Sequence, residues 1–224
     1  MSRWANLAQT ILDDTRGQLR ALRSRAAVCR VADMAAVRLG APVEPPHATL
    51  ISPEYRALQQ VMHAEKRYGK SGGKWWMRVA EMFREHGCKT WLDYGCGTGK
   101  LASNIRKLKL PVVITEYDPG VPEKAEPPRG RFDLVTCIDT LEHIELDCYP
   151  AVLEHLNAVT GKVLFAVIST RPAGKVLPDG RNAHLLVRPS SWWLRQMRHL
   201  GKFVVERSWS ERADELCALA RPLP

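Results

Sequence analysis

The stretch Trp91-Leu92-Asp93-Tyr94-Gly95-Cys96-Gly97-Thr98-Gly99 constrains the fold more than any other part of the chain. An apolar run of strand length meets three glycines at alternate positions, and a segment with helical spacing follows. Glycine admits positive φ and lets backbone approach a ligand closely, and the N-terminus of a following helix offers unpaired N–H groups. The spacing is D-x-G-x-G-x-G. A dinucleotide fingerprint G-x-G-x-x-G begun at Gly95 would need glycine at position 100, where Lys100 stands. The helix is expected to open at Thr98.

Strand and helix patterns alternate on both sides of this motif, which signals an α/β sheet. Strands are expected at 90–94, 111–116, 132–138 and 163–168, and helices at 98–108, 147–159 and 189–200. The tail, Phe203 to Trp209 and then Glu215 to Ala220, is spaced for a closing antiparallel hairpin. From Pro53 to Gly87 the pattern is helical, broken at Tyr68-Gly69-Lys70-Ser71-Gly72-Gly73-Lys74. A P-loop would need glycine five residues before Gly69, and residue 64 is alanine, so this segment reads as a flexible turn between helices. His63 and Tyr68 either cover a ligand at the glycine motif or pack between helices.

Residues 1–48 form a separate segment in this reading, with the main domain at 49–224. Trp4, Leu7, Ile11, Leu12, Leu19, Leu22 and Ala26 share one helical face, with seven arginines and no lysine before position 49. Pro42, Pro45 and Pro46 end the helix as a linker. A packing helix or a basic arm for a partner or nucleic acid fits this pattern. A mitochondrial presequence does not, because Asp13 and Asp14 fall mid-helix and serine is scarce.

The longest apolar run, Val163 to Ile168, is far too short for a bilayer, which takes roughly 20 residues. No apolar signal segment follows Met1, so a cytoplasmic protein is expected. Six cysteines, at 29, 88, 96, 137, 148 and 217, form no C-x-x-C pair, which leaves a zinc site or disulfide framework without support. A net charge of +9 favours polyanions or phosphates, or simply keeps a basic surface soluble.

With the motif in place, the sequence resembles the class I S-adenosylmethionine-dependent methyltransferases over about residues 50 to 220. Three further features agree in order: Ile114-Thr115-Glu116-Tyr117-Asp118-Pro119, the strand Phe132 to Asp139, and Leu141-Glu142-His143 just beyond it. More narrowly, Leu92 to Gly97 and Asp179-Gly180-Arg181-Asn182-Ala183-His184 resemble methyltransferases common in phages and prophages. The resemblance implies a Rossmann-like sheet and S-adenosylmethionine bound along Asp93, Tyr94, Gly95, Cys96, Gly97, Thr98 and Gly99, with Asp139 beside them. Asp93 would orient the loop or the cofactor's amino group. Asp118, or alternatively Glu116, would accept from the ribose hydroxyls.

One departure stands out. Only thirteen residues, Pro119 to Arg131, separate Asp118 from the next strand, and five of them before Gly130 are proline or glycine. The usual helix-strand-helix passage cannot fit, so one edge strand is expected to be missing.

Asp139, Glu142 and His143 have i, i+3, i+4 spacing where a helix should begin, which places all three on one side. His184 follows the next strand and can reach the same spot if the two strands are neighbours. These four are the candidate catalytic residues. They resemble the E-x-x-E-H plus distant His set of small-RNA 3′-terminal 2′-O-methyltransferases and ubiquinone-pathway O-methyltransferases, which implies Mg²⁺ or Mn²⁺ at Asp139, Glu142, His143 and His184. Leu-Glu-His also occurs in family members without metal, so helix capping or substrate contact competes with that reading. The expected function is methyl transfer to an O or N nucleophile, with a small molecule favoured as acceptor. The alternatives are a nucleic-acid acceptor, or a cofactor-binding interaction module without activity.

Overall fold

The computed structural model describes residues 49–65 and 68–223. The expectations for residues 1–48 lie outside them. Among the described residues no helix is long and apolar enough to cross a membrane.

Four parallel strands form one side of the sheet: β1 (Thr90–Tyr94), β2 (Val113–Tyr117), β3 (Phe132–Ile138) and β4 (Thr160–Ser169). The tail supplies β5 (Phe203–Trp209) and β6 (Glu215–Pro222) as the expected hairpin, with β6 antiparallel to β4. The order is β2-β1-β3-β4-β6-β5. Around the sheet lie α1 (Pro53–Ala64), α2 (Trp76–Glu85), α3 (Lys100–Arg106), α4 (Tyr149–Val159) and α5 (Ser190–His199).

Strand periodicity explains why both faces are covered. Successive side chains point to opposite faces, so a strand buried on both sides is apolar throughout. In β4, Leu164, Ala166 and Ile168 pack with Val152, Leu153 and Leu156 of α4 and Trp193 of α5. Val163, Phe165 and Val167 face the other way, onto Val79, Met82 and Phe83 of α2 and Leu101 and Ile105 of α3. At the start of α1, Ser52 caps the helix by accepting from the Tyr55 N–H at 3.1 Å. The same hydroxyl donates to Glu145 Oε1 at 2.8 Å, which ties the helix start to the segment after β3.

Between β2 and β3 there is no strand, only a 3₁₀ turn at Pro122–Lys124. The Asp118 N–H donates to Lys124 O at 3.0 Å, and Lys124 Nζ reaches Glu116 Oε1 at 2.9 Å and Gly97 O at 3.3 Å. The short connection therefore folds back onto the glycine turn, and among the described residues β2 is the last strand on that side, as expected.

The helix after the glycine turn begins later than its sequence suggests. Gly99, at φ 76°, takes the N-cap position and Lys100 opens α3. Thr98 does not cap it. Its hydroxyl and its N–H both donate to Gly69 O at 3.0 Å. Because β2 and β3 flank β1 on opposite sides, the crossovers diverge there and leave a crevice at the carboxyl ends of β1 and β3.

Candidate active site

A cleft of about 420 Å³ opens at that crevice, within the size range of small-molecule sites. Gly95, Gly97 and Gly99 all have positive φ, which gives the turn its backward curl. Gly97 is the tightest point. A Cβ there would lie 2.5 Å from Gly69 O and 2.8 Å from Gly69 Cα, so two backbone segments touch with no room for a side chain. Asp118 holds the turn from beneath, with Oδ2 accepting from the Gly97 N–H at 2.8 Å and Oδ1 from the Gly120 N–H at 2.9 Å. Each oxygen keeps a second lone pair for a ligand.

Asp93 sits at 3% exposure beneath the same turn. The Thr136 hydroxyl donates to its Oδ1 at 2.8 Å, while Oδ2 is buried with no hydrogen-bond partner. Burial pushes this carboxyl up to about 7, against the opposing hydrogen bond from Thr136. An unpaired acceptor in a cleft is a place for a cationic or N–H-bearing ligand group.

Of the two acids on β2 and its end, Asp118 lines the cleft. Glu116 is instead bound by Arg106 at 2.5 Å and Lys124 at 2.9 Å. Tyr94 lies in the core beneath the turn, its hydroxyl 3.1 Å from His155 Nδ1. Cys96 is also buried, with Sγ 3.6 Å from Gly97 O, and burial pushes its thiol far up, which leaves it a packing residue.

At the end of β3 the sequence argument needs correction. Asp139 is left-handed (φ 49°), and the turn that follows is a 3₁₀ turn over Leu141–His143 with no α-helix, so Asp139 does not share a helical face with Glu142 and His143. Among the described residues, donor atoms of Glu142, His143 and His184 lie within 4.8 Å of one another; Asp139 lines the same cleft but is not one of that group. His184 reaches it because β3 and β4 are neighbours and the chain doubles back after β4.

Glu142 is fully buried. Its Oε1 accepts from the Ser169 N–H at 2.8 Å, and its Oε2 has no partner. Burial first, and the charge of Asp139 second, push the Glu142 carboxyl up to about 8. His143 is pushed down to about 3, by burial first and then by His184 beside it. The two imidazoles stand edge to face with centroids 4.8 Å apart. His143 Nδ1 faces Ala183 O at 2.7 Å and His184 Nδ1 faces Arg171 O at 2.6 Å. A carbonyl has no proton to give, so each ring donates through Nδ1–H and presents its Nε2 lone pair.

Sequence reasoning missed the segment Gly69 to Lys74, all of which lines the cleft together with Tyr68, for which ligand cover was one of the two readings. It is a strap laid across the glycine turn, not a free linker. Gly69 carries the Thr98 bonds, and the Asn104 side chain donates to Gly73 O at 3.1 Å. His63 also lines the cleft, its Nε2 3.6 Å from Asp118 Oδ1 and its Nδ1 buried without a partner. Tyr68 stacks edge-on to His63 and to His143, and so bridges the two ends of the site.

A family model described as a methyltransferase domain matches residues 49–216. No curated protein matches the sequence. The 1,6-didemethyltoxoflavin-N1-methyltransferase of Burkholderia thailandensis, solved with 1,6-didemethyltoxoflavin and S-adenosylhomocysteine, is similar over 82% of this chain and 93% of its own, with TM-score 0.59 and 16% identity. DhpI in its S-adenosylhomocysteine complex is similar over 75% of this chain and 95% of its own, with TM-score 0.54 and 16% identity. Magnesium protoporphyrin IX methyltransferase of Synechocystis PCC 6803, with bound S-adenosylhomocysteine, is similar over 76% of this chain and 95% of its own, with TM-score 0.51 and 15% identity. These likenesses show the fold. The chain belongs to the methyltransferase-domain family and carries the class I fold of S-adenosylmethionine-dependent enzymes.

Proposed function

We infer that residues 49–224 transfer a methyl group from S-adenosylmethionine to an O or N nucleophile of a small-molecule acceptor, with residues 1–48 as an appended segment. The observation that carries this is the pairing of Asp93 and Asp118 beside the glycine turn. Asp93 offers an unpaired buried oxygen where the cofactor's amino group would lie, and Asp118 keeps lone pairs for the ribose. Gly95, Cys96, Gly97, Thr98 and Gly99 supply backbone between them, and Tyr94 supports the turn from the core. Methyl transfer is an in-line displacement, so holding the nucleophile against the methyl group is most of the task. The narrower likeness to phage and prophage methyltransferases belongs to this reading and rests on residues 92–97 and 179–184.

Calorimetry with S-adenosylhomocysteine, followed by labelled-cofactor turnover against fractionated cell extract, tests the proposal. Absence of binding removes it. Binding without turnover in any fraction turns the chain into a cofactor-binding interaction module. Affinity is expected to rise from pH 6 to pH 8, because the Asp93 carboxyl is protonated below about 7 and only its charged form pairs with the amino cation. Asp93→Asn should weaken binding and flatten that profile. A wild-type profile that is flat across this range contradicts the role given to Asp93.

At the other end of the cleft, the residues fit a divalent cation. Glu142 has an orphaned buried oxygen, both imidazoles are tethered through Nδ1, and the three donor atoms lie within about 2.8 Å of a common point, close to metal–ligand distances of roughly 2.0–2.2 Å. Glu142, His143 and His184 would hold Mg²⁺ or Mn²⁺, with Asp139 nearby. Such an ion would lower the pKa of an acceptor hydroxyl. An imidazole held near 3 is a weak proton acceptor but a neutral nitrogen donor at every working pH, so His143 suits holding and orienting better than taking the proton. Turnover should fall at least about tenfold with chelator and return with Mg²⁺ or Mn²⁺. Unchanged turnover in chelator would return Glu142 and His143 to turn formation and substrate contact.

A nucleic-acid acceptor is a second reading. Lys70, Lys100 and Arg212 line the cleft without an acidic partner among the described residues, whereas Lys74, Arg171 and Lys175 are paired with Glu215, Asp214 and Glu65. Binding of RNA or DNA that falls steeply with salt favours this reading, and salt-independent or absent binding favours the small molecule.

A further inference from the structure

We propose that Asn182 is the positioning residue of the acceptor-side imidazoles, fixing His143 and His184 in the Nδ1–H form with Nε2 toward the cleft. This rests on the methyl-transfer reading for its purpose, though not for its geometry. Between β4 and α5 the chain runs from Thr170 to Pro189 with no helix and no strand beyond an isolated antiparallel bridge between Val176 and Asn182. Its two legs are joined by one side-chain amide. Asn182 Nδ2–H donates to Ala173 O at 2.9 Å, and Asn182 Oδ1 accepts from the N–H groups of Ala173 and His184, each at 2.9 Å.

Those legs carry the two carbonyls that set the rings. Arg171, two residues from Ala173, receives the His184 Nδ1–H, and Ala183, next to Asn182, receives the His143 Nδ1–H. The amide therefore ties the leg that carries Arg171 O to the backbone of His184, directly beside Ala183, whose own N–H is also held by Lys175 O. The second partner of a ring nitrogen decides which nitrogen carries the proton and which keeps its lone pair. Farther out, backbone bonds from the Leu177 N–H to Arg181 O at 2.8 Å and from the Ala183 N–H to Lys175 O at 3.0 Å close the hairpin without the amide. Removing the Asn182 side chain thus frees chiefly the Arg171 end, which sets His184, while the tip and the Ala183–Lys175 bond stay closed.

The test is histidine-selective ¹⁵N labelling of the full chain with long-range ¹H–¹⁵N spectra near pH 7.5, needing neither cofactor nor acceptor. His143→Gln and His184→Gln assign the ring signals. In the wild type both rings are expected as Nδ1–H tautomers. Asn182→Ala should shift at least His184 toward Nε2–H or averaged signals, with backbone dispersion and S-adenosylhomocysteine affinity unchanged. Asn182→Asp places an oxygen against Ala173 O in place of the donor, and should produce the same loss even if the alanine variant folds poorly. Once an acceptor is in hand, either variant should lower kcat roughly 10- to 100-fold at constant cofactor Kd. Wild-type rings in the Nε2–H form, or Nδ1–H signals that survive in both variants, overturn the proposal. A wild type that shows the tautomers but binds no S-adenosylhomocysteine sinks the methyl-transfer reading instead.

Discussion

Gly97→Ala should weaken S-adenosylhomocysteine binding at least about 100-fold, a loss of about 2.7 kcal/mol. Two causes add at this position. The backbone is left-handed at φ 52°, and the new methyl group would meet the Gly69 backbone at 2.5 Å, where neither partner is a flexible side chain that can swing aside. The strap must lift, and with it go the two Thr98 bonds to Gly69 O. Gly87→Ala separates the causes, since Gly87 has φ 57° but a Cβ added there would meet nothing within 4 Å. That control should cost about 1 kcal/mol of stability and leave affinity alone. Gly97→Ala with affinity within threefold of wild type would show that the strap and the turn do not need to touch for the cofactor to bind.

Glu142→Gln should lower turnover by roughly 10²- to 10³-fold while the protein stays folded. The amide keeps an oxygen to accept the Ser169 N–H, so the buried backbone donor is not orphaned; what disappears is the capacity for charge at the acceptor end. Glu142→Ala would mix the two effects, because losing the partner of a buried N–H costs about 1–3 kcal/mol by itself. A Gln variant with wild-type turnover would remove Glu142 from the chemistry and leave it a hydrogen-bonding support for β4. Both predictions separate the two ends of the cleft: one alters binding, the other the reaction.

The sheet was readable because its determinants are local. β1 and β3 appear at the bounds their apolar runs suggest, and the glycine spacing at 95, 97 and 99 corresponds to three positive-φ positions. The missing strand followed from the length of the 119–131 connection and its proline and glycine density, set against the passage usual in the family. The strap was unreadable because its glycines look like a linker until Gly69 meets Gly97, a contact between segments 28 residues apart that only the folded sheet brings about. Asp139 failed for another reason. The i, i+3, i+4 argument assumes helical backbone, whereas Asp139 takes positive φ, a conformation uncommon outside glycine though Asp is among the residues that visit it most. Asn182 stood in a recognisable motif, yet its purpose depends on which carbonyls its two legs carry, and that is a property of the closed hairpin.

The short connection after β2 has a consequence for the life of the protein outside its active site. Among the described residues β2 is the outermost strand, and its free side presents one row of backbone N–H and C=O groups, the template on which sheets of different molecules add to one another. Val113, 66% exposed, makes that border stickier. The strand is nonetheless poorly suited to such growth. It spans five residues, Pro111 and Pro119 stand just outside its two ends, and Glu116 near its end is locked into a charged cluster with Arg106 and Lys124. At this border prolines and ion pairs do the work of a covering strand in keeping the open edge from recruiting neighbours.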